Sequence, residues 1–254
     1  MSCMPQFLPD MIYGDDERHR LDLFLPDHSP APLFFFVHGG GWRGGDKEHY
    51  RPLGELLVNF GYAVALPHHR LAPQDQHPAQ VHDIAQALGF VLGSAEEAGI
   101  QRDGICLAGH SSGGHLVSLL ALDPRYLDEV GLNSRLIAGV VSISGVYDLE
   151  EYRTVAADYL SAAFGFDPQT YREASPLSHA HPGAPPFLLA YAEHDYPNAE
   201  GQARRMSESL AEQGVSSQVL RVAGRDHVSI LAGVRSLFDP LAVGLAMFLR
   251  SIRE

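Results

Sequence analysis

The chain has 254 residues, 45% of them hydrophobic and 19% charged, a balance typical of folded globular proteins that excludes an extended disordered chain. Its formal charge of −13 argues against a surface built to grip nucleic-acid phosphates, and no run reaches the roughly 18 apolar residues of a membrane-spanning helix. Cys3 and Cys106 are the only cysteines, too few for a disulfide framework or a zinc cluster, so a reducing, cytoplasmic location is expected.

The first residues, Met1 to Leu8, lack the basic-then-apolar order of a signal peptide. His19 to Leu25 alternates in polarity and predicts a half-exposed early strand. Leu33 to Val37 is continuously apolar, as a strand covered on both faces must be. Tyr62 to Leu66 repeats that character. Val81, Ile84, Ala85, Leu88, Val91 and Leu92 then follow helical spacing and predict one apolar stripe against a sheet. Gly104 to Ala108 predicts a strand running into a helix over Gly114 to Ala121, and Ile137 to Ile143 predicts another strand. Residues 148–186 break the rhythm with a short helical stretch around Thr154 to Phe164, and that length predicts a small lid. Phe187 to Tyr191 and Gln218 to Val222 return to strand character, with a helix over Ala199 to Gln213 between them that stops at Gly214. Asp239 and Pro240 open a final helix as N-cap and first residue. Short apolar runs alternating with amphipathic ones predict an α/β domain, a mostly parallel sheet with flanking helices, spanning residues 1–254 as one unit.

Three segments carry chemistry. Gly109-His110-Ser111-Ser112-Gly113 sits between a strand and a helix, the context of a nucleophile elbow. The turn must be sharp to raise the Ser111 hydroxyl above the sheet, and small flanking residues permit it. Ser112 is the rival serine, but its position just after Ser111 makes its backbone N–H the useful group. His38-Gly39-Gly40-Gly41-Trp42 follows the Phe-rich strand, and such a glycine run exposes amides that can meet an oxyanion. A phosphate-binding loop is the alternative, but Arg43-Gly44-Gly45-Asp46 follows in place of the Lys-Ser/Thr that it needs. His38 reads as a loop-shaping residue, and Trp42 as either pocket wall or core. In the chain order Ser, acid, His, Asp195 and His227 each follow a strand. Asp195 would orient His227, and His227 would take the Ser111 proton. Glu193 is the second candidate acid, and Asp226 reads as a loop-shaping hydrogen-bonder.

These segments together resemble the esterase branch of the α/β-hydrolases that includes hormone-sensitive-lipase-like esterases, feruloyl-type carbohydrate esterases and arylformamidases. His38 to Trp42 resembles its oxyanion motif and Gly109 to Gly113 its elbow. His69-Arg70-Leu71-Ala72-Pro73, followed by His77-Pro78-Ala79, resembles its Tyr-Arg-Leu-Ala-Pro segment with His69 in place of the tyrosine. Gly145 to Leu149 and Ser175-Pro176 resemble motifs flanking its lid. The resemblance implies an α/β-hydrolase fold with about eight strands and a serine carboxylesterase acting through an acyl-enzyme. It also implies oxyanion donors at Gly40, Gly41 and Ser112, and a substrate pocket touching Trp42, His110 and Tyr147. Neither a metal nor an organic cofactor is implied. The expected partner is a small-molecule ester, with no nucleic acid and no membrane, and self-association into a homo-oligomer is left open. An arylformamidase would use the same residues on an N-formyl amide. A non-catalytic hydrolase-fold binding protein is disfavoured, because every catalytic position holds a competent residue. One departure stands out: the long helical N-terminal cap of hormone-sensitive-lipase-like members has no counterpart ahead of the first strand, which implies a more open pocket.

Overall fold

Strands form where the apolar runs predict them, and the two faces of the sheet sort by side-chain alternation. The structure is a computed structural model describing residues 4–234 and 238–253, so Cys3 lies outside the described residues. The chain runs through β1 (Gln6–Ile12), β2 (Arg20–Leu25), β3 (Leu33–Val37), α1 (Arg51–Asn59), β4 (Ala63–Pro67), α2 (Ala79–Gly93), α3 (Ala95–Ala98) and β5 (Ile105–His110). It continues with α4 (Ser112–Leu122), α5 (Pro124–Glu129), β6 (Ile137–Ile143), α6 (Leu149–Phe164) and α7 (Pro168–Glu173). β7 (Phe187–His194), α8 (Ala199–Glu212), β8 (Ser217–Asp226) and α9 (Pro240–Ser251) complete it.

The strands make one sheet in the order β1-β2-β4-β3-β5-β6-β7-β8. β2 runs antiparallel to both its neighbours, and all other pairs are parallel. In β3, Leu33, Phe35 and Val37 point to one face, while Phe34 and Phe36 point to the other. The first face is covered by α2, α4 and α8 through residues such as Ile84, Leu116 and Met206. The second is covered by α1 and α9 through Leu53, Leu57, Leu245 and Phe248. Asp239 caps α9 as expected, its carboxylate accepting from the Leu241 and Ala242 amides.

Three expectations need correction. The strand predicted as half-exposed, β2, is buried along its middle, because β1 pairs with its outer edge and α1 covers it. Its polar position, Asp22, is buried and answered by Lys47 and Arg51 at 2.8 and 2.7 Å. The first strand is therefore β1, which begins at Gln6 and whose exposed residues include Pro9 and Asp10, so no apolar alternation marks it. The strand predicted over Gln218 to Val222 is a longer edge strand that is mostly exposed rather than a core one. In the predicted lid region, α6 begins at Leu149 and breaks at Ala156, where φ is −144° and ψ is 52°.

Candidate active site

Five consecutive strands of the sheet, β3, β5, β6, β7 and β8, are parallel, so their carboxyl ends open on one edge. Ligands of open α/β sheets bind at such an edge. Each strand delivers one part of the site there. Ser111 follows β5 directly, with φ 56° and ψ −121°, a conformation that costs energy for a residue with a Cβ. Its amide donates to the Ile143 carbonyl at 2.8 Å, tying the elbow to β6. The turn is so tight that a Cβ on Gly109 would run into the Gly113 carbonyl.

The Ser111 hydroxyl lies 2.9 Å from Nε2 of His227, and Nδ1 of His227 lies 2.6 Å from Oδ1 of Asp195. A carboxylate only accepts, so Nδ1 carries a proton, and in the neutral ring Nε2 is then the nitrogen placed to receive one from Ser111. Asp195 is buried, whereas the His227 ring is about one-third exposed at 32%. Burial by itself would raise the Asp195 carboxyl. Hydrogen bonds from His227, Ser144 and the Ala192 amide outweigh it and hold the group below the ordinary carboxylate range. The Ser144 hydroxyl donates to Oδ2 at 2.6 Å, the Ala192 amide to Oδ2 at 2.9 Å and the Tyr196 amide to Oδ1 at 2.8 Å.

Ser144 was not anticipated. Strand β6 lies between the strand of the serine and the strand of the acid, so the residue just past its end faces Asp195. Its φ of 51° is the backbone sign of that placement, and no sequence pattern announces it. Glu193, the second candidate acid, turns away to Arg221 at 2.6 Å and the Gly224 amide at 2.7 Å. Asp226 folds the loop after His227, accepting from the Val228 and Ser229 amides at 3.1 and 2.8 Å.

The glycine run leaves β3 beside the elbow. Gly40 has φ 138°, and a Cβ there would collide with the Gly44 carbonyl. Ser112 is the first residue of α4, so no carbonyl inside the helix receives its amide. His38 shapes the loop, its Nδ1 donating to the Gly39 carbonyl at 2.9 Å while its ring stacks on His69 at 4.6 Å. A cavity of about 550 Å³ opens over Ser111 and is lined by Gly39 to Trp42, Tyr50, His110, Ser112, Val146, Tyr152, Tyr159 and His227. Tyr152, Val155, Ala156 and Tyr159, around the break in α6, also line it. A larger groove of about 670 Å³ lies between α1 and α9, walled by residues such as Leu56, Phe60, Val243 and Met247, and holds neither Ser111 nor His227.

Of the candidate pocket residues, Trp42 and His110 border the cavity, but Tyr147 does not. Tyr147 is buried beneath the site and donates to Ser142 Oγ at 2.9 Å, so the turn after Gly145 sends it inward. Trp42 is only 2% exposed and is chiefly a brace. Its indole N–H donates to Nδ1 of His115 at 3.1 Å, and Nε2 of His115 donates to the Ala174 carbonyl at 2.8 Å. That joins the glycine loop to α4 and to the end of α7. Ser175 adds a second anchor there, accepting from the Leu149 amide at 2.9 Å and donating to the Tyr171 carbonyl at 2.6 Å.

The BD-FAE family model matches residues 21–210, a span that holds Gly40, Gly41, Ser111 and Asp195 and stops short of His227. The chain is 32% identical over 267 residues to Esterase LipC of Mycobacterium tuberculosis (strain ATCC 25618 / H37Rv), covering 96% of this chain and 65% of that protein. It is 25% identical over 226 residues to the Kynurenine formamidase of Drosophila melanogaster, covering 86% and 74% of the two chains. Six of the curated relatives, LipC among them, are much longer, and the chain spans between 51% and 65% of their length. Among solved structures, an inhibited esterase B from Lactobacillus rhamnosis superposes with a TM-score of 0.83 at 22% identity, covering 98% of this chain and 87% of that one. Sheet order, helix placement and that likeness make the architecture an α/β-hydrolase fold. With the family model matched over most of its length, the chain belongs to the BD-FAE family.

Proposed function

We propose that this protein is a serine carboxylesterase that hydrolyses small or aryl carboxylic esters through an acyl-enzyme on Ser111. The observation that carries the reading is the hydrogen-bonded series from Ser111 through His227 to Asp195. In this mechanism Ser111 Oγ attacks the ester carbonyl carbon while its proton passes to Nε2 of His227. The oxyanion is received by the amides of Gly40, Gly41 and Ser112. The carbon–oxygen bond to the alcohol then breaks, and His227 returns the proton to the departing oxygen. Water, activated by the same imidazole, releases the acid and restores Ser111. Asp195 keeps its charge throughout and stabilises the imidazolium.

Among the described residues, the lining of the cavity contains no Lys, Arg, Asp or Glu, which supports a neutral substrate. Tyr152 and Tyr159 give the lining aromatic surface that suits an aryl group. We read the chain as one α/β-hydrolase unit in which residues 148–186 form a small lid, with α6 as its roof. The buried Cys106 thiol is consistent with a cytoplasmic setting. A second reading, arylformamidase, is favoured by the similarity to Kynurenine formamidase and needs only an N-formyl amide in place of the ester.

The test is a panel of aryl acetates, longer p-nitrophenyl esters and N-formylkynurenine, run beside fluorophosphonate labelling. Ester turnover with label on Ser111 is expected. Labelling with turnover of N-formylkynurenine alone would move the protein to the second reading, and an unlabelled, inactive protein would overturn both.

A further inference from the structure

His110 and Tyr50 border the cavity, yet their polar atoms are engaged with the protein. The Gly39 amide donates to the Tyr50 hydroxyl oxygen at 3.2 Å. That hydroxyl lies 3.0 Å from Nδ1 of His110, and Nε2 of His110 lies 2.9 Å from the backbone carbonyl of His227. Only one proton arrangement satisfies all three contacts. The His227 carbonyl can only accept, so Nε2 of His110 carries the hydrogen. Nδ1 is then an acceptor, Tyr50 must donate to it, and the phenol oxygen is left to accept from Gly39. His110 is 8% exposed, and burial together with the neighbouring His227 pushes its pKa down to about 4, so the ring stays neutral as this arrangement requires.

The relay spans the glycine loop after β3, the elbow after β5 and the loop of His227 after β8. It also uses up the Gly39 amide, so the proposed oxyanion donors fall to the next two residues, Gly40 and Gly41, which line the cavity. We infer that His110 and Tyr50 are positioning residues that lock the oxyanion loop to the loop of the general base, through a single tautomer of His110. Neither touches a reacting atom. They keep two halves of the machinery in register while charge moves between them. The inference rests on the proposed esterase mechanism.

The test compares Tyr50→Phe, His110→Ala and His110→Gln with the wild type, and adds the Tyr50→Phe/His110→Ala double variant. A misplacement of oxyanion donors against base should lower kcat by roughly 10- to 100-fold, with KM changed by less than about threefold. Glutamine carries an N–H at the place of Nε2, so His110→Gln should recover part of the loss. Because one relay is broken once, the double variant should be no slower than His110→Ala alone. Melting temperature and the rate of fluorophosphonate labelling are measured on each, so that unfolding is not mistaken for misplacement. Losses that multiply in the double variant, a kcat within threefold of wild type in both Tyr50→Phe and His110→Ala, or a loss wholly in KM would each overturn the relay. Failure of the wild type itself to label at Ser111 would instead overturn the mechanism, and the relay with it.

Discussion

Two buried carboxylates, Asp195 at the strand ends and Asp22 beneath the edge hairpin, are alike in burial and unlike in company. Each is almost wholly inaccessible, and each is held below the ordinary carboxylate range. For Asp22, burial raises the group, but Arg51, Lys47 and the Asp10 amide outweigh it. Its main side-chain partners are two basic residues, Arg51 and the fully buried Lys47. The partners of Asp195 are neutral donors and one imidazole. A depressed carboxyl therefore does not mark a functional site by itself. What distinguishes Asp195 is a partner that can gain a proton and lose it again.

That contrast can be broken most severely at the serine. Ser111→Ala should lower turnover by roughly 10⁶-fold while the melting temperature stays near wild type, because the hydroxyl supports chemistry and not packing. Steady-state ester hydrolysis with calorimetry checks it, and near-wild-type turnover would remove Ser111 from the mechanism. Asp195→Asn should cost roughly 10⁴-fold by spoiling the His227 tautomer. Glu193→Gln, whose carboxylate faces Arg221, should change the rate by less than about threefold. If the two results came out reversed, the acid would be misassigned.

Asp22→Asn should do the opposite of Asp195→Asn. Removing one partner of a buried ion group costs about 3–5 kcal/mol of stability, and kcat of the folded fraction should stay within about tenfold. Its pH signature has a definite sign. The folded pKa of Asp22 lies below the unfolded value near 3.9, so its stabilisation is complete above that value and is lost as pH falls through the folded one. Denaturant midpoints of the wild type should thus drop on acidification below about pH 4, and those of Asp22→Asn should drop less. A parallel fall in both would show that Asp22 contributes nothing to the acid limb.

The smallest effect concerns the shape of the site and not its charges. The cavity is open and modest, so each methylene left in water forgoes about 0.8 kcal/mol, close to fourfold in kcat/KM. Activity on p-nitrophenyl esters should therefore peak between acetate and butyrate and decline beyond hexanoate. A maximum at decanoate or longer, without micelles, would reveal a deep acyl tunnel.

Much of the candidate site was legible in the sequence because local chemistry encodes it. A serine between two glycines at a strand end, a glycine run after an apolar strand, and an acid and histidine after later strands need no tertiary information to read. The residues that escaped notice depend on spatial neighbours. Ser144 matters only because β6 lies between two other strands, and Tyr50 only because a short helix brings it back against His110. Tyr147 misled for the same reason, since its motif fixes a turn but not which way the ring points. The edge strand β1 carries no apolar alternation, in keeping with the exposure of most of its residues.

The free Cys106 has a use unrelated to any reaction at the site. It lies in β5, flanked by β3 and β6, with 1% of its surface accessible and its thiol driven upward by burial. No reagent reaches that sulfur while the centre of the sheet is closed. In a Cys3→Ser background, slow modification by a disulfide reagent would therefore act as an internal clock. Its ticks would count complete openings of the molecule, independent of substrate, inhibitor or Ser111.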